Sequence, residues 1–283
     1  MTLRNLHTHT TFCDGTASPG EMAAAARKAG FSALGFSAHL AWPFASGWHI
    51  APDRIPAYQS GVRALRRQYA GQMEIFCGFE ADYLRGTLFP DRRVLAGFAP
   101  DFLIGSVHYV PAEKKTPAPL LTVDDKTENV ARWLTECFEG NARRAVKAYF
   151  RAVREMALTC RFDVIGHADL IKKRNRELAF FRESDSWYRA EIRKTVQAIA
   201  RSGKTVEINT GGIARGATDS VYPSEEMLRL LYREGVPVTI SSDAHEPGTV
   251  AAAFDEAVSA AGNAGYRRIL HLTEQGWKEF PLR

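Results

Sequence analysis

The stretch that decides the fold is LRNLHTHTTFCDG, Leu3–Gly15. A short run of strand character, LRNLH, ends in two histidines one residue apart, His7 and His9, and Asp14 follows five residues later. Alternate residues of a strand point to one face, so a lone His-x-His pair is a weak signal by itself. It becomes a metal site only if the rest of the chain supplies further ligands.

Working outward, six more runs read as strands: ALGFSAH from Ala33, MEIFCGFE from Met73, DFLIGSVHY from Asp101, FDVIGHADL from Phe162, KTVEINT from Lys204 and PVTISSDAH from Pro237. They are apolar and β-branched, the pattern of strands buried on both faces of a parallel sheet. Helical segments lie between them. Ser18-Pro19-Gly20-Glu21 is a helix start, with a Ser cap, Pro in the first turn and Glu placed for a capping box; the helix stops at Gly30. Further helices are expected to begin near Asp53, Asp91, Asn129, Asp185, Ser224 and Pro247. The final apolar run YRRILHL adds a strand or edge segment, and its His271 reads as structural. The polar run PAEKKTPAPLLTVDDKTE from Pro111 predicts a long surface loop.

Seven strands alternating with helices give an α/β fold, either an open doubly wound sheet or a closed parallel barrel. No glycine-rich phosphate loop follows the first strand, which argues against a dinucleotide-binding sheet. A length of 283 residues suits one barrel domain spanning 1–283.

Composition excludes several other classes. Hydrophobic residues make up 45% and charged residues 24%, so a large core is expected and disorder is not. No run approaches the roughly 18 apolar residues of a membrane span, and the N-terminus lacks a signal-peptide pattern. Cys13, Cys77, Cys137 and Cys160 have no CxxC spacing, which predicts reduced, mostly packing cysteines and a cytoplasmic setting. The net charge of +5 is concentrated in helical runs such as RALRRQY and NARRAVKAYFRAVRE, read as solvated faces and not as a nucleic-acid surface.

The unusual residues fall in one kind of place. His7 and His9 end the first predicted strand, His39 the second, Glu80 the third, His108 the fourth, His167 the fifth, and Asp243 with His245 the seventh. In a parallel barrel these ends converge on the face where active sites form. Six of the eight histidines are placed this way. Imidazoles and carboxylates gathered without a metal would be a costly desolvated cluster. A mixed N and O donor set suits Zn²⁺, Fe²⁺ or Mn²⁺. With Asp14, the candidates are too many for one tetrahedral ion and predict two or three, with Glu80 able to bridge. Clustered divalent ions suit hydrolysis of a phosphate ester.

The motifs HTHTTFCDG, SAH at His39, GFEADY at Glu80, SVHY at His108, GHADL at His167, EINTGG at Asn209 and SSDAH at Asp243 together resemble the PHP family, the polymerase and histidinol phosphatase superfamily, and within it the monofunctional histidinol-phosphatases. The match runs through almost the whole chain. The resemblance implies a distorted seven-stranded (β/α)7 TIM-like barrel with a trinuclear centre. One metal would take His7, His9, Glu80 and Asp243; a second Glu80, His108 and His167; a third Asp14, His39 and His245. Some relatives carry histidine where this chain has Asp14.

The implied chemistry is attack of hydroxide on a phosphate docked against the metals, with Asp243 or His245 returning a proton to the leaving alkoxide. Arg215 is expected to fork onto the phosphate, as similar phosphatases place an arginine there. Lys172, with its neighbours Lys173 and Arg174, is a further candidate. The aromatic loop LAWPFASGWHI is expected to cap the site, with Trp42, Trp48 and His49 as candidate pocket residues and packing the alternative for the tryptophans. Asp82 and Tyr83 are expected to support Glu80. The expected substrate is a small phosphate ester, L-histidinol phosphate. The competing readings are a phosphoesterase acting on nucleotides or nucleic-acid ends, and a structural or metal-storing module. No membrane or nucleic-acid partner is expected, and the sequence leaves the oligomeric state open.

Overall fold

A computed structural model describes residues 3–111 and 121–282. Seven parallel strands follow one another around the sheet in chain order: β1 (Leu3–Asn5), β2 (Phe31–Leu40), β3 (Glu74–Asp82), β4 (Leu103–Ser106), β5 (Val164–Ile165), β6 (Thr205–Asn209) and β7 (Val238–Ser241). Just past the ends of β1 and β7 a parallel bridge joins Thr8 to Ala244, with the His9 N–H donating to the Ala244 carbonyl over 2.8 Å. That bridge brings the edges together at the C-terminal face, and the sheet becomes a distorted barrel with short, irregular β1 and β5. The doubly wound alternative is thereby excluded.

Helices cover the outside: α1 (Pro19–Lys28), α2 (Ile55–Gln68), α3 (Thr127–Phe138), α4 (Ala142–Thr159), the single-turn α5 (Asn175–Leu178), α6 (Ser186–Ser202), the single-turn α7 (Gly211–Ala214), α8 (Glu225–Arg233) and α9 (Phe254–Ala264). The Ser18 and Glu21 capping box predicted for α1 forms. Phe36, Phe79, Tyr58, Trp133, Tyr149 and Tyr188 are among the large side chains buried between barrel and helices.

The barrel interior holds a separate small core of Leu6, Ala33, Phe76, Phe102, Ile104, Val164 and Leu272. The Phe102 ring fills its centre. A Cβ at Gly35 or Gly78 would come within 2.8 or 2.5 Å of that ring, so both strands carry glycine where it passes. Below it the strands β8 (Arg268–Thr273) and β9 (Gly276–Pro281) pair antiparallel. Leu272 and Trp277 press into the inner core, and Arg4 ties the hairpin down by donating to the Leu272 carbonyl and pairing with Glu74. His271 is structural as expected: it is buried beside Thr239, and burial pushes its pKa down to about 3. The sequence anticipates β8 but not its partner β9.

Other differences are local. The helix expected near Asp91 does not form; that segment is turns and a 3-10 turn, Ala96–Phe98. Asp91 still caps a turn, its carbonyl accepting from the Val94 and Leu95 amides, but the turn is not continued. The Asp91 carboxylate accepts from the Arg93 amide (2.8 Å), the Arg93 guanidinium (2.9 and 2.6 Å) and the Arg161 amide (3.0 Å), which ties this turn to the chain beyond α4. The helix expected near Asn129 is two, α3 and α4, split at Gly140. The one near Pro247 begins as a 3-10 turn and becomes α9 only at Phe254. Residues 112–120, part of the loop expected from Pro111, lie outside the described residues.

The Asp91 anchor yields a stability prediction. Arg93, through its side-chain hydrogen bonds, holds the Asp91 carboxyl down at about 2. A carboxylate with a depressed folded pKa stabilises above its unfolded value, about 4, and loses that contribution as pH falls through its folded one. Asp91→Asn should therefore lower unfolding free energy by about 1–3 kcal/mol at pH 7, and the gap from the parent should narrow below about pH 4. Urea melts of both proteins at pH 7 and at pH 3 check it.

No helix among the described residues is long and apolar enough to cross a membrane. Cys77, Cys137 and Cys160 are buried and Cys13 is partly exposed.

Candidate metal centre

Strand register places the side chains of the site. On β3, Phe76, Gly78, Glu80 and Asp82 share the inward face, and His39 of β2 lies directly across from Glu80. Glu80 is the hub. Its Oε1 is 2.8 Å from His167 Nε2 and 3.6 Å from His108 Nε2; its Oε2 is 3.0 Å from His7 Nε2 and 2.8 Å from His39 Nδ1. His9 Nε2 reaches Asp243 Oδ1 at 3.2 Å. Asp14 lies 3.5 Å from His39 Nε2 and 3.2 Å from His245 Nε2.

All nine ligand candidates therefore meet at one end of the barrel. Three sets present donor atoms within 4.8 Å of one another: His7, His9 and Asp243; His7, Glu80 and His167; and His9, Asp14, His39 and His245. They overlap with the sets implied by the resemblance. They differ in three ways: His7 and His9 each belong to two of them, Glu80 belongs to one and not to two, and His108 belongs to none, lying 3.6 Å from Glu80.

Two strand-end residues depart from ordinary backbone geometry to get there. His167 has φ +23° and Asp243 φ +52°. Positive φ is unfavourable for side-chain-bearing residues and persists where surrounding structure holds it, often at functional sites.

The donor set fits metal ions on the structure's own terms. Buried His7 Nε2, His9 Nε2, His39 Nδ1, His167 Nδ1 and Glu80 Oε2 make no hydrogen bond. Such orphaned atoms are expensive unless something else satisfies them. The imidazoles also crowd one another, His9 stacking on His39 at 4.0 Å and on His245 at 4.3 Å. Burial raises the Glu80 and Asp243 pKa values, but nearby imidazoles and, for Asp243, Arg215 outweigh it and hold both carboxylates ionised. Burial lowers His9, and its neighbours His39 and His245 lower it further, leaving a neutral, metal-competent ring.

Supporting contacts hold the outer nitrogens of the ligand rings. His108 Nδ1 lies 2.6 Å from Asp82, whose other oxygen meets His49 Nε2 at 2.6 Å. Asp82 thus orients His108 and does not support Glu80. Tyr83 points outward to Glu155. Glu207, absent from the sequence reading, lies 2.6 Å from His7 Nδ1 and accepts from the His167 amide (3.1 Å) and the Asn209 amide group (2.9 Å). A fully buried glutamate midway along TVEIN was the signal available for it. A carboxylate behind a ligating histidine fixes tautomer and ring orientation. Cys13 sits 3.6 Å from His9 Nδ1 and belongs to none of the three sets.

The substrate candidates divide. A cavity of about 560 Å³ opens over the cluster, a size usual for small-molecule sites. Arg215 lines it, with NH2 donating to Asp243 Oδ2 at 2.8 Å and NH1 to the Asp243 carbonyl at 2.9 Å. Trp48 also lines it, while Trp42 packs edge-on against Phe98. His49 is held between Ser46 and Asp82, behind the wall. Lys172 is buried, donating to the Val221 carbonyl at 2.9 Å and pairing with Asp169 at 3.3 Å. Its neighbour Lys173 reaches the cavity instead, paired at 2.8 Å with Asp124. The register of that basic run was one residue from the expectation.

A parallel barrel with metal-ligand side chains gathered at its strand ends defines the class of metallohydrolase-type barrels. Comparison narrows the class. The PHP domain model matches residues 5–211. A Deinococcus radiodurans protein named "Probable histidinol-phosphatase" is 31% identical over 266 residues, 93% of this chain and 94% of its own. The histidinol-phosphatase of Bacillus subtilis is 24% identical over 275 residues, 90% and 98% of the two chains. Among solved structures, histidinol phosphate phosphatase from Lactococcus lactis, complexed with zinc, L-histidinol and phosphate, superposes with a TM-score of 0.70 at 18% identity, over 98% of this chain and 99% of that one. The chain belongs to the PHP family.

Proposed function

We propose that this protein is a histidinol-phosphatase, hydrolysing L-histidinol phosphate to L-histidinol and phosphate with two or three divalent metal ions. The observation that carries the reading is the gathering of eight ligand candidates into three overlapping donor groups, with His108 3.6 Å from Glu80, beneath a cavity of small-molecule size. The names of the relatives at 31% and 24% identity supply the substrate. The zinc, L-histidinol and phosphate bound to the Lactococcus lactis protein agree with it. Histidine biosynthesis follows as the setting.

His7, His9, Glu80 and Asp243 would hold one ion, Glu80 with His167 and His108 a second, and Asp14, His39 and His245 a third. Bound ions supply Lewis acidity toward the phosphoryl oxygens and acidify water near neutral pH. The protein's own groups do the rest. Glu207 and Asp82 keep His7 and His108 in the tautomers that leave Nε2 free toward the centre. Arg215 holds Asp243 ionised and offers its remaining N–H groups to the phosphate. Asp243 and His245 both line the cavity, and a water they orient would return a proton to the leaving oxygen. Trp48 and Tyr109 screen the cluster from bulk water on one side.

The test is steady-state kinetics of protein loaded with Zn²⁺, Mn²⁺ or Fe²⁺ on histidinol phosphate, nucleoside monophosphates and a single-stranded oligonucleotide. kcat/KM for histidinol phosphate should exceed the others by at least about 10²-fold. Equal rates on all three would sink the reading.

A further inference from the structure

We infer that Asp124, on the cavity wall, is the recognition group for the substrate's ammonium, and that it makes the site selective for amine-bearing phosphate esters. This rests on the histidinol-phosphatase reading and deepens it.

The cavity lining offers two kinds of chemistry. The ligand cluster with Arg215 suits a phosphate. Beside it the lining continues with Trp48, whose ring meets His39 and His108 edge-on, and with Tyr109, Thr122, Asp124 and Asp125. A phosphate docked on the cluster leaves the organic half of the ester against these residues. In histidinol phosphate that half carries an ammonium on the carbon next to the ester CH₂, and an imidazole beyond it.

Of the two acids, Asp125 is spent on the chain. Its carboxylate accepts from the Lys126 amide and from Asn129 at 2.8 Å, which fixes the start of α3. Asp124 has one ion-pair partner among the described residues, Lys173, at 2.8 Å. Its side chain is 21% exposed, into the cavity. A carboxylate offers about four acceptor positions, so one lysine contact leaves capacity for a second cation. Lys173 stands in the turn that follows His167, and the pair therefore fixes Asp124 relative to the ligand cluster.

Charge supports the assignment. With Asp124, Asp125 and Lys173 this wall is net negative by one, complementary to an ammonium and repulsive to a second anion. Trp48 and Tyr109 are stacked near parallel, 5.9 Å apart, and give the same wall an aromatic surface for a heteroaromatic ring. A phosphate ester with no amine leaves the remaining acceptor positions of Asp124 unmet, the arrangement by which polar sites reject analogues lacking one group.

The experiment compares L-histidinol phosphate with 3-(imidazol-4-yl)propyl phosphate, which differs only in lacking the amine. Wild type should favour the amine substrate at least about 30-fold in kcat/KM, and Asp124→Asn should shrink that ratio at least tenfold, with the loss carried by KM. Asp124→Glu, which keeps the charge, should restore part of the ratio and covers the case in which the asparagine variant fails to fold. The Ki of L-histidinol as a product inhibitor should rise in Asp124→Asn by more than that of inorganic phosphate.

Equal losses on both substrates, or loss of bound metal in proportion to activity, would show Asp124 acting on Lys173 or the metal cluster and overturn the inference alone. A wild type with no preference for the amine also overturns it. The functional reading falls as well only if histidinol phosphate is then no better than nucleoside monophosphates.

Discussion

Replacing Glu80 with alanine is expected to abolish metal retention and to lower kcat/KM by at least about 10³-fold, several kcal/mol of transition-state stabilisation at 1.36 kcal/mol per decade. The reason is position, not charge alone. Glu80 comes within 3.6 Å of five histidines through its two oxygens, and those histidines enter from the end of β1, from β2 and from the ends of β4 and β5. No other candidate touches as many of the rings. Without Glu80, five imidazoles face one another with no anion between them, and ions there lose their shared ligand. Glu80→Gln separates shape from charge. It fills the same volume, yet its amide carries donors where the surrounding imidazole nitrogens also need an acceptor or a metal. It should resemble the alanine variant in activity while unfolding as cooperatively as the parent. Elemental analysis after dialysis, circular dichroism and kinetics together check this. Full metal content and activity in Glu80→Ala would mean that the centre lies elsewhere.

The sequence reading succeeded where one rule governed the outcome. Parallel strands deliver their C-terminal ends to one face, so His7, His39, Glu80, His108, His167 and Asp243 could be grouped without knowing any distance. Lateral contacts were harder, because they depend on which strands are neighbours and how deeply each residue sits. Glu207 lies two residues inside the end of β6, below the level at which ligands were sought, yet its carboxylate reaches His7 two hundred positions away. Asp82 was assigned to Glu80, its neighbour on the same face of β3. Register instead sets Asp82 against Ser106, and His108 is the next inward residue beyond it. Asp91 looked like a helix cap and became a turn anchor, because Arg93 and Arg161 supply donors that no local pattern announces. Lys172 and Lys173 were indistinguishable in a basic run. The short 3-10 turn Leu170–Lys172 buries the first and turns the second into the cavity.

Arg215→Ala is expected to lower kcat/KM by about 10²–10³-fold and to raise the Ki of inorganic phosphate at least tenfold, with bound metal retained. Arg215 follows the single turn α7 directly after β6. The chain makes room for its guanidinium: a Cβ at Gly211 would come within 2.6 Å of Arg215 NH2 and 2.9 Å of Asp243 Oδ2. NH2 and NH1 each donate to Asp243, and NH1 also lies 3.2 Å from His245 Nδ1. When His245 Nε2 faces a metal, its Nδ1 carries the proton and donates to the Asp243 carbonyl 3.0 Å away, so it is not an acceptor for Arg215. Two of the five guanidinium N–H groups are then committed, and three remain for an oxyanion at the side chain's 34% exposed, cavity-facing edge. Loss of the arginine removes those donors and also unpins Asp243, but Asp243 keeps its contact with His9, which is why metal should stay. Arg215→Lys retains a charge without a fork that can grip Asp243 and phosphate together. It should recover less than about tenfold of the lost activity, because geometry and not net charge is what the guanidinium contributes. If the lysine variant instead matches the parent, or the phosphate Ki of Arg215→Ala is unmoved, Arg215 acts only as a brace for Asp243.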